Sequence, residues 1–230
     1  ITKVMTLILV MEAIDEGKLK MEDTIISSAH AASMGGSDIW LEEGEVMTVY
    51  DLIKATMVAS ANDAAVALAE EAEGSEDAFV AKMNEKAKTL GMKNTTFKNC
   101  NGLDEEGHLT TAYDVALMSQ ELIKHEEIFE FTSIWLDYLR DGKTQIVNTN
   151  KLLKSYKGIT GLKTGTTSQA GSCISATAKR DGLTLIAVVL GGVTGKDRFA
   201  DATKLLDYGF ANYCVYTPSF DEEIPELDSL

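Results

Sequence analysis

Apolar positions keep a helical spacing through the first part of the chain and give way to strand-like runs in the last third. Val4–Glu16 is almost continuously apolar and stops at Gly17, which predicts a helix buried on all sides at the centre of the protein. Thr48-Val49-Tyr50-Asp51 resembles a capping box with Asp in place of Glu and opens a helix through Met57. Ser60-Ala61-Asn62-Asp63 interrupts it, and an alanine-rich helix resumes over Ala64–Glu73. Ser75 caps the next helix, with Phe79, Met83, Ala87 and Leu90 on one face and Gly91 at its end. Thr111 caps another, reaching about His125, with Val115, Met118 and Leu122 inward. Residues 25–39 are mixed around a Gly35-Gly36 turn, and Thr95–Leu103 is irregular with a turn at Asn101-Gly102.

Ile146–Lys163 reads as loop and short strand. Ser172–Ala178 and Leu183–Leu190 read as strands joined through Lys179-Arg180-Asp181-Gly182, a hairpin with Asp-Gly. A final helix over Arg198–Tyr213 carries Leu205, Leu206 and Phe210 to cover the sheet. Helices followed by an antiparallel sheet with a helix on it predict a two-lobed α/β protein. Three strands make a small sheet for a domain of this size, so further strands are expected before residue 1.

Composition narrows the function. A chain of 230 residues with 45% hydrophobic and 25% charged residues is an ordinary globular domain. Its net charge of −15 argues against nucleic acid, which needs a positive footprint, yet leaves room for a small anion held by one or two local cations. Cys100, Cys173 and Cys214 are too widely spaced for a metal site or a disulfide framework, and Cys173 is expected as a buried thiol. No apolar run is long enough to span a bilayer. The acidic run Asp221–Glu226 reads as a solvated linker.

Three short elements carry chemistry. Lys3 stands among apolar residues, where desolvation lowers an amine's pKa and makes it a base; the alternative is a solvated terminal lysine. Ser60-x-Asn62 lies in a helix break, where a hydroxyl relays a proton and a carboxamide holds a substrate amide; the alternative is helix capping. Lys163-Thr164-Gly165 offers a cation and a hydroxyl for a carboxylate and a glycine that lets a peptide backbone approach. The N–H of Thr166 points toward a developing oxyanion, and the alternative for this stretch is a plain surface strand.

In the order Lys3, Ser60-x-Asn62, Lys163-Thr164-Gly165 these match the known S-x-x-K, S-D-N and K-T-G set of penicillin-binding proteins and class A β-lactamases, with Ala61 where the second motif has Asp and Ile1-Thr2-Lys3 standing for the last three residues of the first. Met34-Gly35-Gly36-Ser37, Val58–Ala65, Asn101-Gly102-Leu103-Asp104, His108–Asp114 and Gly161–Gly171 extend the likeness to about Tyr213. The chain resembles the low-molecular-mass penicillin-binding proteins that are D-alanyl-D-alanine carboxypeptidases, serine peptidase family S11. The resemblance implies the transpeptidase fold shared with serine β-lactamases: a helical lobe plus an antiparallel sheet flanked by helices, its N-terminal strands missing here. It implies a D,D-peptidase domain over 1–214, with 215–230 a linker or the start of a β-rich domain.

The same resemblance implies an acyl-serine enzyme that trims D-alanine from peptidoglycan stem peptides. β-Lactams would inhibit it, no metal or organic cofactor is used, and it would work outside the cytoplasm at the bacterial envelope, membrane-associated when complete. Lys3 would deprotonate a serine just before Ile1, so the chain alone should be inactive. Ser60 would return the proton, Asn62 would orient the acyl-side amide, and Lys163 and Thr164 would hold the terminal carboxylate. Gly165 would admit the peptide, and the Thr166 N–H would complete the oxyanion hole. His30, His108 and His125 are read as structural or exposed. Two alternatives stay open: a class A-like β-lactamase, which should carry Ser-Asp-Asn and a Glu with an Asn partner between the second and third motifs, and a non-catalytic cell-wall or sporulation scaffold.

Overall fold

The computed structural model describes residues 1–216; of the segment 215–230, all but Val215 and Tyr216 lie outside the described residues, as does the acidic run after Pro218. The first helix, α1 (Lys3–Asp15), is buried at every residue from Lys3 to Met11, as its continuous apolar run requires. It ends in a Schellman motif at Gly17, with Gly17 N–H on Ile14 O and Lys18 N–H on Ala13 O. Around it pack α4 (Asn62–Glu73), α5 (Glu76–Thr89) and α6 (Ala112–Leu122). Ser75 and Thr111 cap α5 and α6 by accepting from the N–H groups of Ala78 and Asp114. One core links these helices through Ile8, Leu52, Leu68, Phe79, Met118 and Phe131. Each such side chain taken from water contributes about 1.5–3 kcal/mol.

Short pieces decorate this body. Strands β1 (Thr24–Ile26) and β2 (Val46–Thr48) pair antiparallel, with α2 (Ala29–Ala32) between them and α3 (Val49–Lys54) following. Thr48 caps α3 through Asp51 N–H, but the Asp51 carboxylate pairs with Lys54 rather than closing a capping box. After α6 come α7 (Ile128–Thr132) and a hairpin, β3 (Leu136–Leu139) and β4 (Thr144–Val147), neither of which the apolar pattern announced.

The main sheet is antiparallel, in the order β5 (Ile159–Thr167), β6 (Gly171–Arg180), β7 (Leu183–Gly192). Its strands alternate between two faces. Ile174, Ala176 and Ala178 pack with Leu206 under α8 (Gly195–Asn212), while Ser175 turns the other way and meets Ser119 of α6 at 2.7 Å. The sheet is thus flanked by helices, and β5 is one of its two edge strands among the described residues. Leu205 corrects an expectation: it is 48% exposed, because Ala202, Leu206 and Gly209 form the face of α8 that meets the sheet. At Gly209 a Cβ would come within 2.5 Å of Leu185 Cδ1, so a larger residue would require the Leu185 side chain to shift.

Candidate functional site

The break between α3 and α4 is built from irregular backbone. The α-helix gives way to a π-turn over Ala55–Ala59, and Ser60 follows in the left-handed region at φ 61°, ψ 30°. A non-glycine residue there costs about 1–2 kcal/mol, a conformation that persists only where its surroundings impose it. The N-cap of α4 is Ala61, which has no capping side chain. Neither Ser60 nor Asn62 is therefore the N-cap of α4, and their side chains turn elsewhere. Ser60 Oγ accepts from Lys163 Nζ at 2.9 Å, and Asn62 Oδ1 accepts from Lys3 Nζ at 2.5 Å.

Lys3 begins α1 and is 4% exposed, not a solvated end. Its second acceptor is the carbonyl of Asn101 at 2.7 Å. Burial lowers its pKa from 10.5 to about 8, against the opposing pull of Cys100, Asp38 and Asp63. At pH 7 about a tenth of such an amine is free base, against about three parts in ten thousand at the ordinary value. That is a base usable near neutrality.

Lys163, Thr164, Gly165 and Thr166 stand on β5. Lys163 is 1% exposed; burial, then the charges of Lys3 and Arg198, hold its pKa well below the ordinary lysine value. Besides Ser60 it donates to Thr164 O at 3.1 Å. Thr164 is 4% exposed, its Oγ1 2.5 Å from that of Thr149. A Cβ at Gly165 would lie 2.8 Å from the Ile1 nitrogen, so this position brings two backbones together.

A cleft of about 530 Å³ opens between these walls. Lys3, Asn62, Gly165 and Thr166 line it, with Asn101, Leu103 and Leu109; Ser60, Lys163 and Thr164 sit behind the lining. Among the described residues, the two buried lysines and Arg198 around it have no carboxylate within ion-pair distance, in a chain of net charge −15. Asp104 and Glu105 also line the cleft, so positive charge is concentrated where Lys163 and Arg198 meet β5.

Two contributors escaped the sequence reading. Arg198 donates from Nη1 to Gly165 O at 2.9 Å and Thr166 Oγ1 at 2.8 Å, fixing the end of the motif from behind. A cation in the first turn of a helix, against its dipole, was the available signal. Asn101, which the sequence marks as a turn and as part of a family-like stretch but with no role at the site, holds Lys3 through its carbonyl. The histidines stand aside: His30 pairs with Glu76 and His125 with Asp15. Half-buried His108 accepts from Lys98 N–H through Nδ1, so Nε2 carries the proton toward Thr2 Oγ1 at 2.8 Å. Burial lowers its pKa and keeps it neutral near pH 7.

A desolvated lysine, a serine–lysine pair and a strand-edge K-T-G motif around one cleft match the motif arrangement of the serine D,D-peptidases and β-lactamases. Known proteins narrow the class. The chain belongs to the D-alanyl-D-alanine carboxypeptidase family, peptidase family S11, whose profile matches residues 1–194. It is 54% identical over 215 residues to the D-alanyl-D-alanine carboxypeptidase DacF of Bacillus subtilis, covering 92% of this chain and 55% of that protein. It is 37% identical over 225 residues to DacC of Escherichia coli, covering 95% and 56%. Penicillin-binding protein 5 from Haemophilus influenzae superposes with a TM-score of 0.86 at 34% identity, over 91% of this chain and 62% of that one. Penicillin-binding protein D2 from Listeria monocytogenes in its cefotaxime-bound form gives 0.77 at 36%, over 91% and 85%. The chain spans about half the length of the curated relatives it matches, 55% of the first.

Proposed function

We infer that this chain is the greater part of the catalytic domain of a serine-type D-alanyl-D-alanine carboxypeptidase that removes the terminal D-alanine of peptidoglycan stem peptides. The nucleophile is the serine that the S-x-x-K pattern sets immediately before Ile1. Lys3, as free amine, takes its proton during attack on the penultimate D-alanine carbonyl. Ser60, with its hydroxyl on the buried Lys163, relays a proton to the departing D-alanine nitrogen, and water then cleaves the ester. The Thr166 N–H and that of the serine receive the oxyanion. The Thr149–Thr164 hydroxyl pair can form with Thr149 as donor, which would leave the Thr164 proton for the substrate carboxylate, in the field of Lys163 and Arg198. Asn62 meets the acyl-side amide through the remaining proton of its Nδ2.

The observation that carries this reading is the pair of buried lysines, each on one partner of the Ser60-x-Asn62 motif, beside a cleft. β-Lactams are the matching inhibitors, as cefotaxime is seen bound in the Listeria relative. The reading sets the protein outside the cytoplasm at the cell envelope, membrane-associated in its complete form; among the described residues no helix is long and apolar enough to cross a membrane. Incubating the full-length protein with an N-acylated peptide ending in D-Ala-D-Ala should release free D-alanine. A protein that binds penicillin but leaves the peptide intact would overturn the substrate.

One observation favours a second reading. Glu105 lies on the cleft and takes a hydrogen bond from Asn99 Nδ2 at 3.1 Å, the carboxylate–carboxamide pair a β-lactamase uses to hydrolyse its acyl-enzyme. Slow release of bound penicillin supports the carboxypeptidase, and rapid turnover supports the lactamase.

A further inference from the structure

Residues 35–41 form one wall of the cleft and have no regular secondary structure, with Gly36 and Ser37 on its lining. Side chains hold this backbone. Asn62 takes the inner end, its Nδ2 donating to Gly35 O and its N–H to Ser37 O, both at 2.6 Å. The buried carboxylate of Asp63 accepts from Ile39 N–H at 3.1 Å and Leu41 N–H at 3.0 Å. Arg140 takes the outer side: Nη1 donates to Ile39 O at 2.9 Å, Nη2 reaches Trp40 O at 3.4 Å, and Nε donates to Glu45 at 2.6 Å. Ile39 thus has its N–H on a carboxylate and its C=O on a guanidinium. Trp40, beside it, is kept at φ 56° with its side chain 78% exposed, a conformation a non-glycine residue holds only when its surroundings impose it.

Arg140 stands in the turn of the β3–β4 hairpin, 101 positions from Ile39. The hairpin is anchored to the other walls as well. Lys54 Nζ donates to Tyr138 O at 3.0 Å, β4 packs on the π-turn that ends at Ser60, and Thr149, just past β4, meets Thr164.

We propose that the β3–β4 hairpin braces the cleft and that Arg140 is its positioning residue. By gripping the carbonyls of Ile39 and Trp40, Arg140 fixes the 35–41 loop; the loop fixes the carboxamide of Asn62, and Asn62 holds the amine of Lys3. Arg140 touches no reacting atom. A lysine in its place lacks the rigid planar fork with which the guanidinium spans the Glu45 carboxylate and two carbonyls. The inference rests on the reading of Lys3 as the base of acylation.

The test uses the full-length protein, a fluorescent penicillin, and hydrogen exchange of the peptide containing residues 35–41. For Arg140→Ala the acylation rate constant at saturation falls about 10- to 100-fold while the half-saturating concentration stays within about 3-fold. Amides of Ile39 and Leu41 exchange at least about 10-fold faster, and the melting temperature drops by less than about 4 °C. Arg140→Lys recovers part of the rate. Glu45→Gln, which leaves the carbonyl contacts in place, keeps both rate and protection. Wild-type exchange in Arg140→Ala, or faster exchange with unchanged acylation, overturns the proposal. Should Arg140→Ala fail to fold, wild-type values in Arg140→Lys overturn it instead. A wild-type protein that takes up no penicillin defeats the functional reading, and the exchange experiment then tests the brace alone.

Discussion

Two stretches are equally buried and obey opposite rules. In α1 beyond Lys3, Val4, Met5, Leu7, Ile8, Val10 and Met11 are shielded from water and apolar, and the one buried polar side chain among them, Thr6, has its hydroxyl on Cys100 O. On β5, Lys163 and Thr164 are almost as buried, and beside them Lys3 and Asn62 are too. Burying an ammonium without a carboxylate costs several kcal/mol, so that second region spends stability that the first supplies. The irregular backbone gathers on the same side: the π-turn, left-handed Ser60 and the loop held through Trp40. Departures from local rules that converge on one cleft mark where structure has been committed to chemistry.

The contrast predicts opposite effects from removing one side chain in each region. Lys163→Ala in the full-length protein should lower the rate of penicillin acylation by about 10³-fold or more, since it removes the cation behind Ser60 and the substrate carboxylate. Its melting temperature should change by less than about 4 °C, because a buried unpaired charge leaves with it. If folding were lost in step with acylation, Lys163 would belong with the core. Ile8→Ala should do the reverse: a loss of about 2–5 kcal/mol in a denaturant titration, with the folded fraction acylating at the wild-type rate.

The cost of the buried base is itself measurable through pH. The pKa of Lys3 is lowered in the folded protein from 10.5 to about 8, so between those values the unfolded chain binds more protons. The destabilisation is complete below about pH 8 and is relieved as pH rises toward 10.5. Relative to Lys3→Met, the wild type should therefore gain about 2–3 kcal/mol between pH 7 and pH 10.5. A difference that stays flat across that range would mean that Lys3 titrates normally, and the contrast between the two regions would lose its cost.

Much of this was legible from residues alone, for local reasons. The all-round apolar run of α1, the caps at Ser75 and Thr111 and the Asp-Gly turn between β6 and β7 each act within a few positions. The β3–β4 hairpin was missed although Asp141-Gly142 marks its turn, because its four-residue strands alternate too briefly and expose Leu136, Tyr138 and Val147. Leu205 was misassigned because neighbouring apolar residues on a helix point about 100° apart, and only Leu206 meets the sheet. At the site, residue types revealed Lys3, Ser60, Asn62 and Lys163. Arg140 and Arg198 were silent, since each acts through backbone carbonyls far away in the chain, and Asn101 stood in a family-like stretch without a visible role because it acts through its own carbonyl.

The central claim is that the cleft serves a serine one residue before Ile1. Full-length protein labelled with a fluorescent penicillin, digested and analysed by mass spectrometry tests it most directly. The account predicts a single acyl adduct on that serine, abolished when the serine is replaced by alanine and strongly reduced in Lys3→Ala. An intact fold that forms no adduct, or an adduct on another residue that survives both substitutions, would contradict it.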